Sequence, residues 1–421
     1  MENKLLHTPE GVRDVYNGEC KRKLVLQNFL TDTIIKYGYH AIQTPTFEFF
    51  DIFSREIGTT PSKELYKFFD KDGETLVLRP DMTPSVARCA AKYFMEENSP
   101  LRFYYSGNTF INNHASYQGR LNENTQIGAE LIGDASIEAD AEIVAMIVEC
   151  LQKSGLKEFQ VSIGEVKFFK SILEEAGIEG EDEETLRDLI SNKNFFGVEE
   201  FLEEKKFSKD ITAVLTKLPN MYGSIETLNE AKKLTNNKNA LDALNRLQKL
   251  YDTISLYGME KYISFDLGML SKYQYYTGII IKAYTYGLGE PVCTGGRYDK
   301  LLKSFGKDAA SIGFCINLEQ LMSALSRQKI EIPVDSNNII ISYNESDLST
   351  AIKLATLLRN DGINVELNNK EFDYMEYAKN NNIAGILKIK SATECTYTNT
   401  SSQKSTDLAC KDVSGEIIGR Y

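Results

Sequence analysis

Between Glu19 and Tyr37 apolar residues recur at Leu24, Leu26, Phe29, Leu30, Ile34 and Ile35, a helical spacing that stops at Gly38, the residue type best suited to a left-handed C-terminal cap. An extended run over Tyr39–Gln43 then meets Pro45, which belongs at strand ends or edges. Leu65–Phe69 and Thr75–Leu78 flank Lys71-Asp72-Gly73, a turn pair that predicts a hairpin. Helical spacing resumes over Thr83–Met95. Two strand-like runs, Arg102–Phe110 and Glu123–Ile132, enclose a polar loop and predict an antiparallel pair. Ser136–Leu151 reads as a helix whose first turn carries Glu138 and Asp140, the favourable charge for that end of its dipole.

From about residue 180 to 257 the pattern becomes short helices rich in Glu, Lys and Asn, with Leu241, Leu244, Leu247 and Leu250 on one face, which predicts a helical insertion. Strands return at Tyr262–Leu267, Gln274–Tyr286 and Ala310–Cys315, followed by a helix over Leu318–Ser326. Beyond Pro333, Ile339–Tyr343, Asp347–Arg359, Ile363–Leu367, Phe372–Lys379 and Ala384–Lys390 alternate strand and helix, as a parallel α/β domain does. The Ser/Thr-rich stretch 393–407 shows no clear period and reads as loop. The expectation is an α+β chain: a core over residues 1–325 with its insertion near 180–257, and a C-terminal domain over 335–421.

A 421-residue chain is long enough for two or three such units without disulfide or metal staples. With 48 basic against 60 acidic residues, net −12, no global field draws it to nucleic acid or anionic lipid, which leaves room only for a local basic groove. Three histidines and seven scattered cysteines, none in a C-x-x-C pair, predict no metal and a reducing compartment. Met1–Asp14 carries no apolar leader and no stretch is long enough to span a bilayer, so a cytoplasmic protein is expected.

Five short motifs stand in order: Thr8-Pro9-Glu10-Gly11-Val12-Arg13-Asp14, Leu78-Arg79-Pro80-Asp81-Met82-Thr83, Gln126-Ile127-Gly128-Ala129-Glu130, Tyr275-Tyr276-Thr277-Gly278 and Gly295-Gly296-Arg297-Tyr298-Asp299. Together with the helix–strand–Pro45 element, the strand–loop–strand over 102–132 and the final strand–helix, they make the chain resemble class II aminoacyl-tRNA synthetases, histidyl-tRNA synthetase above all. The resemblance implies a class II antiparallel sheet core with its helical insertion, plus a C-terminal α/β domain similar to an anticodon-binding domain.

Synthetase chemistry places arginines around the phosphates of ATP, because the guanidinium fork binds phosphate oxygens at two points and stays charged. The resemblance puts three of them at positions that here hold Ile111, Ser271 and Gln320, all neutral. Losing one phosphate-stabilising contact costs about 3–4 kcal/mol, so three losses are expected to abolish adenylation. Arg120 remains in the loop with Asn122 where its companion would stand, and Lys272 is the one surrogate cation at hand.

The amino-acid pocket is largely kept, although the resemblance places the anchor of the substrate carboxylate at the arginine position that is Ser271 here. By the same resemblance Asp81, Thr83 and Gln126 receive the α-ammonium of histidine, while Glu130 and Tyr276, with Tyr275 beside it, meet the imidazole. Gln126 and Glu130 lie four apart on a strand and therefore share a face. Each residue also has a plainer reading: Asp81 as a helix cap, Tyr275 and Tyr276 as strand aromatics, Glu130 as a solvent-facing strand residue, Gly295-Gly296 as a turn. The acidic run 179–184 reads as a solvated helix start, and His114 has no evident partner.

Phosphate cations gone and amino-acid pocket kept is the pattern of the regulatory subunits of ATP phosphoribosyltransferase, which the chain resembles. That implies a non-catalytic protein without cofactor, assembled with a short catalytic transferase, required for the first step of histidine biosynthesis and carrying histidine feedback; a homodimer within a hetero-oligomer is expected. Members of that family commonly end near the third motif, whereas this chain continues, which keeps histidyl-tRNA synthetase as an alternative. From Ile330 on, nine basic and thirteen acidic residues, net −4, suit an RNA backbone poorly. A free-standing histidine sensor is the other alternative.

Overall fold

The structure, a computed structural model, describes residues 4–53, 60–112, 121–270, 276–334 and 338–418. Its contacts group into two units, one mainly Leu26–Ile332, the other mainly Pro333–Tyr421 with Val15–Val25 assigned to it.

Helix α1 (Asn17–Lys36), whose residues from Leu26 belong to the first unit, ends at Gly38, whose φ of +82° is the left-handed cap expected there. Strands β1 (His40–Ala41), β2 (Phe47–Phe49), β3 (Lys67–Phe69) and β4 (Thr75–Leu78) follow, then α2 (Thr83–Tyr93). β2, β4 and β3 form a small antiparallel sheet, its hairpin turning at Gly73 with φ +87°. β5 (Leu101–Phe110) and β6 (Glu123–Ile132) pair antiparallel along their whole lengths. Next come α3 (Ile137–Lys153), β7 (Phe159–Glu165) and α4 (Val166–Ala176). The segment that follows holds α5 (Glu181–Ser191), α6 (Phe195–Lys205), α7 (Lys209–Lys217), β8 (Tyr222–Gly223), α8 (Glu226–Lys232) and α9 (Lys238–Leu256). β9 (Ile263–Asp266), β10 (Ile279–Thr285), β11 (Cys293–Arg297), β12 (Ser311–Asn317) and α10 (Leu318–Arg327) complete the unit.

Nine strands make one sheet in the order β1-β5-β6-β12-β11-β10-β7-β9-β8, antiparallel except at β1–β5 and β7–β9. Period-two alternation divides its residues between two faces. Ile127, Ala129 and Leu131 of β6, Ile279 and Ile281 of β10, and Ile312, Phe314 and Ile316 of β12 are buried in one core with α3 and α9. Gln126, Gly128 and Glu130 therefore face the other way, toward α2.

One ionic cluster is sealed beneath α3. Asp140 is fully buried and accepts from Arg297 Nε at 2.9 Å, Arg297 Nη2 at 2.6 Å and Arg246 Nη2 at 2.6 Å. Arg297 Nη1 also donates to the Asp134 carbonyl at 3.0 Å and to Asp299 at 3.2 Å. The arginine of the Gly-Gly-Arg-Tyr-Asp motif thus ties β11 to the N-terminus of α3.

The second unit consists of β13 (Asn338–Ser342), α11 (Leu348–Asn360), β14 (Asn364–Asn368), α12 (Tyr374–Asn380), β15 (Gly385–Ile389), β16 (Glu394–Asn399), β17 (Ser405–Ala409) and α13 (Val413–Ile418). Its sheet runs β14-β13-β15-β16-β17, parallel on the first three strands and antiparallel beyond.

Four expectations need correction. The stretch 393–407 is mostly strand: only Cys395 and Tyr397 of β16 point into the core, so its apolar alternation is two residues long and hidden among threonines. The C-terminal sheet is accordingly mixed rather than parallel. Gly295 and Gly296 lie inside β11, not in a turn. The region around 180–257 is not helical throughout, since β8 joins the sheet edge and α9 covers the sheet beside α3. All seven cysteines are free, and among the described residues no helix is long and apolar enough to cross a membrane.

Replacing Arg297 by Ala would leave Asp140 buried with half its cationic partners, a loss of about 3–5 kcal/mol for breaking a buried pair. Urea unfolding should register it, and a change below about 1 kcal/mol would show that the cluster contributes nothing net.

Candidate functional site

The site lies on the α2 side of the sheet and is built on glycines. Gly296 of β11 and Gly313 of β12 are register partners, and Gly128 of β6 pairs with Cys315 beside them. A methyl on Gly313 would overlap the Glu130 carboxylate, and one on Gly296 would stand 2.6 Å from the Tyr276 ring. One on Gly128 would meet the Tyr105 hydroxyl at 2.7 Å. Bare backbone on three adjacent strands is what lets Glu130 and Tyr276 lie down on the sheet.

Glu130 is 1% exposed, so the solvent-facing reading is wrong. Its Oε1 accepts from the Thr83 hydroxyl at 2.7 Å and from the Tyr105 hydroxyl at 3.3 Å, and its Oε2 from the Tyr298 hydroxyl. All three bonded donors are neutral. Burial therefore outweighs the hydroxyls and the carboxyl is pushed up to about 8, with the Asp81 charge adding to the rise. Burial next to this carboxyl also raises the Tyr105 and Tyr298 phenols well above their ordinary value.

Asp81 and Thr83 bracket the start of α2, where Pro84 can sit because the first turn's N–H groups have no helical partner. Asp81 Oδ1 accepts from the Met82 amide at 2.7 Å, and Gln126 Oε1 accepts from the same amide at 3.3 Å. Asp81 bonds the amide of Met82, the residue before α2, and no side chain caps the helix, so the plainer reading of Asp81 as a helix cap does not hold. Arg79 holds this corner: its Nη1 donates to the carbonyls of Thr44 at 2.7 Å and Pro45 at 3.1 Å, and its Nε to Asn108 at 2.8 Å. The Arg-Pro motif is thereby bolted to Pro45 and β5.

The structure brings Asp81 and Gln126 onto the Met82 amide and bonds Thr83 to Glu130, while Tyr276, which precedes β10 and is not itself in a strand, packs against Val166, Met269 and Ile280. Tyr275, Ser271, Lys272, His114 and Arg120 lie outside the described residues. Ile111 follows β5, its amide donating to the Asn122 carbonyl at 2.8 Å. Gln320 is in the first turn of α10, its amide capped by Asn317 at 2.9 Å, and the preceding Glu319 accepts from the Thr125 amide at 2.7 Å. Tyr105 and Tyr298 escaped the sequence reading. Tyr298 was in view within its motif, but nothing in the one-dimensional pattern tells that its hydroxyl reaches across to Glu130.

Among the described residues, a carboxyl kept mostly neutral, ringed by hydroxyls and flanked by Asp81 and the Gln126 amide, offers acceptors and no cation. The arrangement suits a small ligand that brings its own positive charge and donors. Among the described residues no cluster of His, Cys, Asp and Glu is placed to hold a metal.

This fold, an antiparallel sheet carrying such a pocket, is that of the class II synthetase-like proteins. The family model described as histidyl-tRNA synthetase matches residues 11–321. A curated relative from Acetivibrio thermocellus, an ATP phosphoribosyltransferase regulatory subunit, is 38% identical over 387 residues, 91% of this chain and 92% of its own. A solved structure from Bacillus halodurans, described as an ATP phosphoribosyltransferase regulatory subunit/histidyl-tRNA synthetase, is 31% identical, covers 89% of this chain and 96% of its own, and superposes with a TM-score of 0.81. Histidyl-tRNA synthetase from Nostoc sp. shares the fold over 99% of both chains at 20% identity, TM-score 0.84. The chain belongs to the ATP phosphoribosyltransferase regulatory subunit family. Residues from 333 on are about a fifth of the chain, so a match over 91% runs into them and they do not set this chain apart from that relative.

Glu130 ionises less readily in the fold than in the unfolded chain, so stability present at acid pH is lost as pH rises from about 4.5 through about 8. Glu130→Gln removes that loss. In urea unfolding the wild type should therefore lose stability relative to the variant between about pH 5.5 and 8.5, and a difference constant over that range would contradict the buried neutral carboxyl.

Proposed function

We propose that the protein is a non-catalytic regulatory subunit of ATP phosphoribosyltransferase, required for the first step of histidine biosynthesis and allowing histidine to feed back on it. The observation that carries this reading is the contrast between two halves of one site. Asp81 and Gln126 meet at the Met82 amide and Thr83 bonds Glu130, a set of acceptors that would suit a cationic amino acid, while the sequence has an isoleucine and a glutamine at Ile111 and Gln320, where adenylation would call for arginines. Ser271 is the third such position by sequence.

In this reading the α-ammonium of histidine meets Asp81, Thr83 and Gln126, and its imidazole meets Glu130 and Tyr276, with Tyr275 adjacent. Glu130 at neutral pH carries a proton that it can pass to a neutral imidazole, so the pair becomes carboxylate and imidazolium inside the pocket without exchanging a proton with water. The bound ligand then supplies the cation that the three hydroxyls do not. Histidine acts on the transferase by linkage: preferring one state of the complex, it shifts the catalytic subunit toward that state. The partner is the short catalytic transferase, and the chain works in the cytoplasm, as a homodimer within the larger complex. The C-terminal unit, net −4 from Ile330 on, serves assembly rather than RNA binding.

Co-expression with a short transferase from the same cell tests the proposal. The expected result is a stable complex, transferase activity that depends on this chain and falls on adding histidine, and no histidine-dependent pyrophosphate exchange. A transferase indifferent to the chain and to histidine, or exchange activity by the chain alone, would overturn it.

A further inference from the structure

A cleft of about 830 Å³ opens between α4 and α9 beside the first turn of α3, on the helix side of the sheet and away from Glu130. Lys167, Lys170, Lys249 and Arg246 line it. Arg246 is committed to Asp140, but none of the three lysines is in an ion pair among the described residues. Lys170 is pressed further. Its ammonium is held below the ordinary range by burial and by the charges of Arg187 and Lys300 nearby, with Glu183 and Glu174 only partly offsetting them. Glu183 is itself paired with Arg187. Behind the wall, Glu165 is almost fully buried with one oxygen unpartnered, and burial pushes it up to about 7, so at neutral pH it cancels only part of the field.

Such a concentration of unpaired cations is out of keeping with a chain of net −12. Lysines spread over a convex surface are solvated and call for no ligand, whereas these line an open concavity whose volume is in the range of small-metabolite sites. The walls are not uniformly basic. Glu174, Asp242, Asn239, Asn245 and Gln248 share them, providing acceptors and amides. That mixture disfavours a polyanion such as RNA and suits a compact ligand with a few negative charges at one end and hydroxyl or amino donors at the other.

We propose that the α4–α9 cleft binds a small phosphorylated metabolite of the nucleotide or sugar-phosphate class, with Lys167, Lys170 and Lys249 on the phosphates and the amides and carboxylates on the hydroxylated part. The site is separate from the amino-acid pocket, and its occupancy does not depend on the regulatory reading. Calorimetric titration of the full chain with ATP, ribose 5-phosphate and inorganic phosphate tests it. ATP or ribose 5-phosphate should bind saturably in the millimolar range or tighter, inorganic phosphate more weakly. Lys170→Gln and Lys249→Ala should each weaken binding about tenfold, the effect of losing one charged hydrogen bond. Glu130→Gln should leave it unchanged. No saturable binding of either ligand, equal binding of inorganic phosphate, or affinities untouched by both lysine variants would each overturn the proposal; circular dichroism and unfolding midpoints of the variants exclude misfolding as the cause of a loss.

Discussion

A buried carboxyl to which the described residues bond no cation is the constraint around which the α2 side of the sheet is organised. Taking an ionised carboxylate out of water without a counter-charge is costly, and proteins avoid the cost by neutralising the group or by supplying a partner. At Glu130 the described residues supply three hydroxyls, from α2, β5 and the end of β11, and the carboxyl stays largely protonated. Everything near it serves that placement. Gly313 clears the space beneath the carboxylate, Gly128 clears the space for Tyr105, and Arg79 pins the Arg-Pro corner that sets Thr83 in reach.

The contrast with the other buried carboxylate is instructive. Asp140 has two arginines, and on the helix side of the sheet it acts as a rivet between β11, α3 and α9. Glu130, on the other face of the sheet, has only hydroxyls bonded to it among the described residues. Even with two arginines, burial leaves the Asp140 carboxyl above its ordinary range, and such a pair is costly to break rather than a proof of net stability.

Much of this was legible in the chain. Helix α1 with its Gly38 cap, the β3–β4 hairpin at Gly73 and the β5–β6 pair followed from periodicity and turn chemistry, and the shared face of Gln126 and Glu130 followed from period two. What escaped did so for physical reasons. β11 is a strand containing two glycines, a composition that reads as a turn, because its glycines answer to side chains from other strands rather than to their own backbone. β16 buries only two of its six residues, and the roles of Tyr105 and Tyr298 depend on contacts 25 and 168 residues away in sequence. Pattern reports local periodicity. It is silent on which distant hydroxyls converge on a carboxyl.

The central claim is that a synthetase-like pocket without phosphate cations senses histidine through Glu130. Isothermal titration of histidine into the full chain and into Glu130→Gln tests it most directly. Saturable binding by the wild type is expected, with a loss of at least about tenfold in the variant, where an amide faces the imidazole in place of an acid able to share its proton. Absence of histidine binding, or equal affinity in the two proteins, would contradict it.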